Sequence, residues 1–370
     1  MASTFFARQI RNFARLLLGP ALEVAVTLRY RLAPYALPTA SVNDSRLGDS
    51  THEIVDAVYT WVDGRDPVWL EKKKFYQKIE NPTEIHPSST HHSRFHNRDE
   101  LKYSLRSLSL YAKYVRNIYI VTDNQIPSWL NLQHPQIHVV DHKEIFPDRE
   151  ALPTFNAHAI ETCLHHIPGL NERYLYLNDD FFFGHESRYS DFFAPDGRAI
   201  AYLSPDVVKK EPADESDSSE VWATHNDRVL IYELFGKPLT NKILHVPYSQ
   251  LKSILYELES RASHEFTKTA KNRFRSKTDI KVPCSLFPYY GYYIDKVKFV
   301  PHNNAAVFNR YVNVASPFFR PVSRELLLTS KYATFCINEP ISSDSDTSRF
   351  DALIFRFLDS YFPEKSPFEI

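Results

Sequence analysis

Four apolar runs in the first half of the chain each stop at polar or acidic residues, and this alternation constrains the fold most. Ile54–Val62 is rich in β-branched and aromatic residues and stops at Asp63-Gly64. Asn117–Thr122 stops at Asp123-Asn124, and Ile137–Val140 is a third run. Arg173–Leu177 stops at Asn178-Asp179-Asp180. Each reads as a strand. Helical patterns lie between them. Leu101, Leu105, Leu108 and Ala112 share one face of a helix that Asn97 and Glu100 would start and that reaches about Tyr114. Ala157–His166 is the next helix. Strands alternating with helices predict an α/β fold with a mostly parallel, Rossmann-like sheet. In open sheets of this kind ligands bind beyond the carboxyl ends of the strands. Asp63, Asp123, Asp179 and Asp180 are therefore predicted to share one crevice.

The rest of the chain reads as additions to that core. Residues 1–52 form an amphipathic segment and a linker, with 36–52 lacking periodicity. Residues 53–205 are the Rossmann-like core. Residues 206–345 turn mainly helical and complete the active site, and 346–370 are a C-terminal helix and tail. Residues 79–97, with His86, His91, His92 and His96, read as a polar loop over the site. Lys209–Glu220 reads as a mobile acidic loop, and Ser249–Arg261 as an amphipathic helix. Phe6, Ile10, Phe13 and Leu17 recur at helical spacing, with Arg8, Arg11 and Arg15 on other faces. Such a helix can lie on an anionic bilayer or pack on the protein's own core.

Composition narrows the chemistry. Hydrophobic residues at 43% suffice for a real core, and a net charge of −1 gives no field that draws nucleic acid. With 8 glycines and neither a GxGxxG nor a P-loop, any phosphate must be held by side chains and helix termini. The 3 scattered cysteines predict reduced thiols rather than disulfides, and none has zinc-ligand spacing.

Three segments are dense in aspartate, arginine and asparagine: Asp56–Asp66, Arg94–Ser107 and Asn272–Asp279. Carboxylates with arginines suit a metal ion and an anion such as a nucleotide pyrophosphate. Asn178-Asp179-Asp180 can hold a divalent metal or simply cap a strand. His245, ahead of Pro247, can be a general base or a structural histidine. Arg273 and Arg275 with Asp279 can grip a phosphate or form a surface ion pair. His158, Glu161 and His165 share a helical face that can bind zinc, though a packed face is favoured.

These segments, in this order, resemble the Stealth family, which includes bacterial capsular polysaccharide phosphotransferases. Its first conserved region resembles Val55–Gly64. The second resembles Arg94–Ser107, Ile120–Leu130, Leu152–Glu161 and Tyr176–Phe181. The third resembles His245-Val-Pro and Arg273–Asp279, and the fourth Phe335–Glu339, where Glu339 stands in place of the family's frequent aspartate. The resemblance favours the packed face for His158, Glu161 and His165. It implies catalytic roles for His245, Arg275, Asp279 and Asn338. It implies substrate contacts by Asp56, Trp61, Asp63, Arg94, Glu100, Arg106, Asp123, Asn226, Arg273 and Glu339. Asp179 and Asp180 would hold Mg²⁺ or Mn²⁺. The implied reaction moves a sugar-1-phosphate from a UDP-sugar to a glycan hydroxyl, releasing UMP, in capsular or exopolysaccharide synthesis. The implied setting is the cytoplasm, at the inner face of the membrane. The rival expectations are a metal-dependent glycosyltransferase and a non-catalytic glycan-binding relative.

Overall fold

A parallel sheet forms where the apolar runs predict it. The computed structural model describes residues 54–80, 85, 87–209, 211, 213–301, 308–316, 319–329, 331–338 and 348–370. The amphipathic N-terminal segment, the 36–52 linker, His86 and Glu339 lie outside the described residues. Strands β1 (Val55–Thr60), β2 (Val115–Thr122), β3 (Ile137–Asp141) and β4 (Arg173–Asn178) line up in the order β3-β2-β1-β4, all parallel. They pair because both faces are apolar: Val58, Ile118, Ile120, Leu175 and Leu177 are all fully buried. Each such side chain contributes roughly 1.5–3 kcal/mol by leaving water. The order turns back between β1 and β4, so a crevice opens at their carboxyl ends.

The prediction of a mainly helical second half is corrected in part. Strand β5 (Phe181–Phe183) follows β4 after two residues. Strands β6 (Ala199–Val207), β7 (Asn241–Ile243), β8 (Tyr248–Leu251), β9 (Val297–Val300), β10 (Asn309–Asn313) and β11 (Thr334–Asn338) are interleaved with helices. β8 joins the main sheet antiparallel to β4, which shortens the expected 249–261 helix to Lys252–Arg261. β10, β11 and β5 form a second sheet, and β7, β6 and β9 a third. Residues on both sides of position 205 therefore share sheets. The helix Ser348–Tyr361 covers the second sheet, burying Leu358 with Phe182, Phe335 and Phe362.

Local caps shift other boundaries. The helix expected at Asn97 begins at Glu100, because Asp99 takes a left-handed φ of 62°. Asn97 Oδ1 instead accepts from the Asp99 amide. A helix that the sequence reading passed over, Pro67–Ile79, starts where Asp66 accepts from the amides of Val68 and Trp69. The helix expected over 157–166 is a single α turn, Ala157–Glu161, then a 3₁₀ turn, Leu164–His166. Among the described residues no helix is long and apolar enough to cross a membrane.

Candidate active site

The crevice at the strand ends is a cleft of about 680 Å³. Thr60 and Trp61 reach it from β1, Asp123 from β2, Asn178 from β4 and Asn338 from β11. Arg94, Glu100, Asp179, Asp180, His245 and Arg275 line it as well. Nine of the residues singled out in the sequence beyond Trp61 thus meet in one place, although they span most of the chain.

Asp179 and Asp180 make up the whole connection between β4 and β5. The Asp180 carbonyl accepts from the Ile337 amide of β11. Asp180 Oδ2 accepts from Asn338 Nδ2 and Cys336 Sγ, both at 3.4 Å. Its Oδ1 is buried with no hydrogen-bond partner. Burial pushes the Asp180 carboxyl up to about 7, with the Glu100 charge adding to the rise. Asp179 is raised by burial and then by Asp180, and Glu100 by burial and then by Asp179. The three carboxyls therefore disfavour one another's charge, which a cation would relieve, but among the described residues the ligand atoms that converge within 4.8 Å are those of His165, His166 and Glu259.

A second part of the cleft is basic. Arg94 comes from the 3₁₀ turn His92–Phe95, and Arg275 and Lys281 from the stretch after the helix Ser263–Lys271. Burial pushes Arg275 down to about 10, helped by Arg94, which leaves it cationic at neutral pH. All three cations contact one carboxylate, Glu220, in the first turn of the helix Ser219–Phe235. Within the described residues of the expected acidic loop, Lys209 makes contacts through its side chain and its carbonyl. Lys209 Nζ meets Asp217 Oδ2 at 2.8 Å, and the Lys209 carbonyl accepts from Arg228 Nη1 at 2.6 Å. Sequence reasoning missed Glu220 and Lys281. Lys281, two residues beyond Asp279, was within reach of a charge-based reading. Glu220 sat in a polar run with no signal.

His245 connects the two parts. Its ring opens on the cleft and packs edge-on against Phe181 at 6.3 Å and near Tyr311 at 5.2 Å. The surrounding protein pushes its pKa down to about 4, and the charges of Lys281 and Lys242 act in the same direction. The ring is neutral at physiological pH and can accept a proton.

Several predicted site residues are placed elsewhere. Asp56 lies at the amino end of β1, the end away from the cleft. It is fully buried and takes a two-pronged bond from Arg116 at 3.0 and 2.8 Å. It also accepts from the amides of Asn117 and Asn171, joining β1, β2 and the approach to β4. Asp63 sits beyond the cleft, accepting from Arg65. Arg106 grips Glu369 with two bonds, at 2.8 and 2.7 Å, and donates to the Phe362 carbonyl. Arg273 pairs with Glu80 and covers the Tyr76 ring. Asn226 donates to the carbonyls of Lys277 and Asp279. Asp279 is fully buried and is not hydrogen-bonded to Arg275. It accepts from Asn156, Asn272, the Ser276 amide and His158 Nδ1. Asn226 and Asp279 thus shape the turn that presents Arg275.

His158, Glu161 and His165 do not converge. Glu161 accepts from the Tyr176 hydroxyl, and His165 turns to Glu259. There His165 and His166 both reach Glu259 Oε2, at 2.8 and 2.9 Å. Burial opposes charge on His166, but bonds to Cys163 and Glu259 raise its pKa to about 10. A proton on His166 thus neutralises Glu259, and the group closes as an ion pair. The cysteines are free thiols, with Cys163 and Cys336 buried.

Comparison with known proteins now bears on this cleft. Stealth protein CR1, conserved region 1, matches residues 55–79, and Stealth protein CR2, conserved region 2, matches 94–201. Conserved regions CR3 and CR4 match 244–292 and 325–370. An exopolysaccharide phosphotransferase of Streptomyces coelicolor is 42% identical over 316 residues, covering 85% of this chain and 51% of that protein. The exopolysaccharide phosphotransferase CpsY of Mycobacterium tuberculosis is 34% identical over 317 residues, covering 85% of this chain and 58% of that protein. The chain thus spans a little over half the length of these relatives. Among solved structures, the galactosyltransferase LgtC in complex with donor and acceptor sugar analogs aligns with a TM-score of 0.39 at 10% identity, over 83% of this chain and 96% of that one. That likeness is too distant to bear on the chemistry.

Proposed function

Because the chain belongs to the Stealth family, we propose that it transfers a sugar-1-phosphate from a UDP-sugar to a glycan hydroxyl in exopolysaccharide synthesis. The acceptor oxygen attacks phosphorus, a phosphodiester forms, and UMP leaves. The supporting observation is one cleft that combines a carboxyl cluster, a cationic cluster and a neutral histidine. Phosphoryl transfer asks a protein mainly for positioning and charge stabilisation. Arg275, with Arg94 and Lys281, would hold the donor's phosphates. His245 would take the hydroxyl proton as the new P–O bond forms. Asn338 holds Asp180 in place. The donor is a cytosolic nucleotide sugar, so the reaction belongs at the cytoplasmic side of the membrane.

The discriminating experiment incubates the protein with a panel of UDP-sugars and an exopolysaccharide acceptor. We expect release of UMP and a product that contains phosphorus. Release of UDP would identify glycosyl transfer instead. No nucleotide release with any donor would leave a glycan-binding protein.

The mutual repulsion of these carboxyls and the orphaned Asp180 Oδ1 support a divalent ion of the Mg²⁺ or Mn²⁺ type here. Asp179, Asp180 and Glu100 would hold it, and the orphaned Asp180 Oδ1 offers it an oxygen. Such an ion, when bound, neutralises charge on the donor phosphates. A stability measurement tests the fit without turnover. The Asp180 carboxyl rises from 3.8 to about 7 in the folded protein. Between about pH 4 and about pH 7 the folded chain therefore holds a proton that the unfolded chain has released. Without metal, this group's contribution to stability falls as pH rises through that window. Mg²⁺ takes the proton's place, so the gain in Tm on adding Mg²⁺ should be larger at about pH 8 than at about pH 5. An equal gain at both, or one that persists in Asp180→Asn, would move the ion elsewhere.

A further inference from the structure

We infer that Glu220 is an internal competitor for the phosphate-binding part of the cleft, yielding to the donor and returning to expel the nucleotide product. The inference rests on the cleft being the donor site. Glu220 Oε1 contacts Arg275 Nη1 and lies 3.5 Å from Arg94 Nη1. Glu220 Oε2 lies 2.9 Å from Lys281 Nζ. Three cations, Arg94 from one part of the chain and Arg275 and Lys281 from another, thus face one carboxylate.

The fit is electrostatic: Glu220 Oε1 pairs with the Arg275 and Arg94 guanidiniums and Oε2 with Lys281 Nζ. A carboxylate built into a permanent site takes paired, parallel bonds from arginine, as Glu369 does from Arg106. His158 makes the mismatch plainer. Its Nδ1 donates to Asp279, so the neutral ring turns a lone pair on Nε2 toward Glu220 Oε2, 3.6 Å away. That nitrogen is buried and unbonded. An anion with more oxygens and more charge than a carboxylate can engage all three cations at once.

Exposure is distributed unevenly across the contact. The Glu220 side chain is 34% exposed, whereas those of Arg94 and Arg275 are each 15% exposed. Arg94 Nε is further fixed on the Ser88 carbonyl. An arriving anion therefore displaces Glu220 toward water and leaves the cations in place. When the donor has been split and the product's hold is weaker, the tethered carboxylate returns at high local concentration.

The test measures binding of inorganic pyrophosphate and of UMP by calorimetry in the presence of chelator. It compares the full chain with Glu220→Gln and with Arg275→Gln. Removing a charge a few ångströms from the bound anion should tighten both ligands by roughly 10- to 100-fold in Glu220→Gln, and the gain should shrink at high salt. Glu220→Ala should tighten them too, which separates loss of charge from any new bond made by the amide. Unchanged or weaker binding in both folded Glu220 variants, with Arg275→Gln still losing the ligands, overturns the inference and leaves the donor site standing. If Arg275→Gln binds as the parent does, the ligands do not use this cluster and both readings fail.

Discussion

Arg275→Lys should lower turnover by roughly 10³-fold, the scale seen when an arginine that stabilises a transferring phosphoryl group is lost. Both residues are cationic, so the change keeps the charge and removes the planar fork. Arg275 is presented by a turn that Asp279 and Asn226 hold through the Ser276 amide and the carbonyls of Lys277 and Asp279. Lysine at this position should therefore leave the turn intact. The measurement is steady-state release of UMP, with thermal unfolding as the control for folding. Kinetics within about twofold of the parent would reduce Arg275 to a partner of Glu220.

His245→Ala should lower kcat by roughly 10²–10⁴-fold, the range for losing a general base. Donor binding should change little, because the ring's described contacts are with Phe181 and Tyr311. The pH dependence adds a second check. A base must be deprotonated to act, and His245, at about 4, stays neutral throughout the working range. The acidic limb of kcat/KM should then follow the cleft carboxyls, near 7 for Asp180. Added Mg²⁺ should move that limb to lower pH by competing with the protons. Near-normal turnover in a folded His245→Ala protein would sink the assignment, whereas a limb near 4 in the absence of metal would match His245 itself and remove the carboxyls from the profile.

The contrast between Asp180 and Asp56 shows what the sequence could and could not convey. Both lie beside apolar runs in acidic, strand-flanking words. Patterning identified the strands to within about two residues, because complete burial on both faces leaves long β-branched and aromatic runs. It could not say which end of a strand faces the ligand. Asp56 lies at the start of its run and Asp180 follows one, and the parallel sheet puts those ends on opposite sides. Arg106 misled for another reason. Its neighbours in sequence belong to the cleft helix, but its partner, Glu369, is 263 residues away. Glu220 and Lys281 acquire their meaning only where four chain segments converge. The short strands β7 to β11 escaped because three to five residues cannot display a period of two against helical surroundings.

The two-residue turn between β4 and β5 has a consequence for how such proteins can diversify. Asn178 is paired in register with Thr60 on one side of the turn, and Phe181 with Cys336 on the other. Inserting or deleting one residue there would rotate Phe182 and Phe183 to opposite faces of their sheet. Phe182 would leave its stack with Phe335 and Phe362. The acidic pair is therefore locked in length as well as in identity. Variation that retunes the acceptor has to enter through other connections, such as the polar stretch between β6 and the Glu220 helix. The joint between the two sheets admits point changes alone.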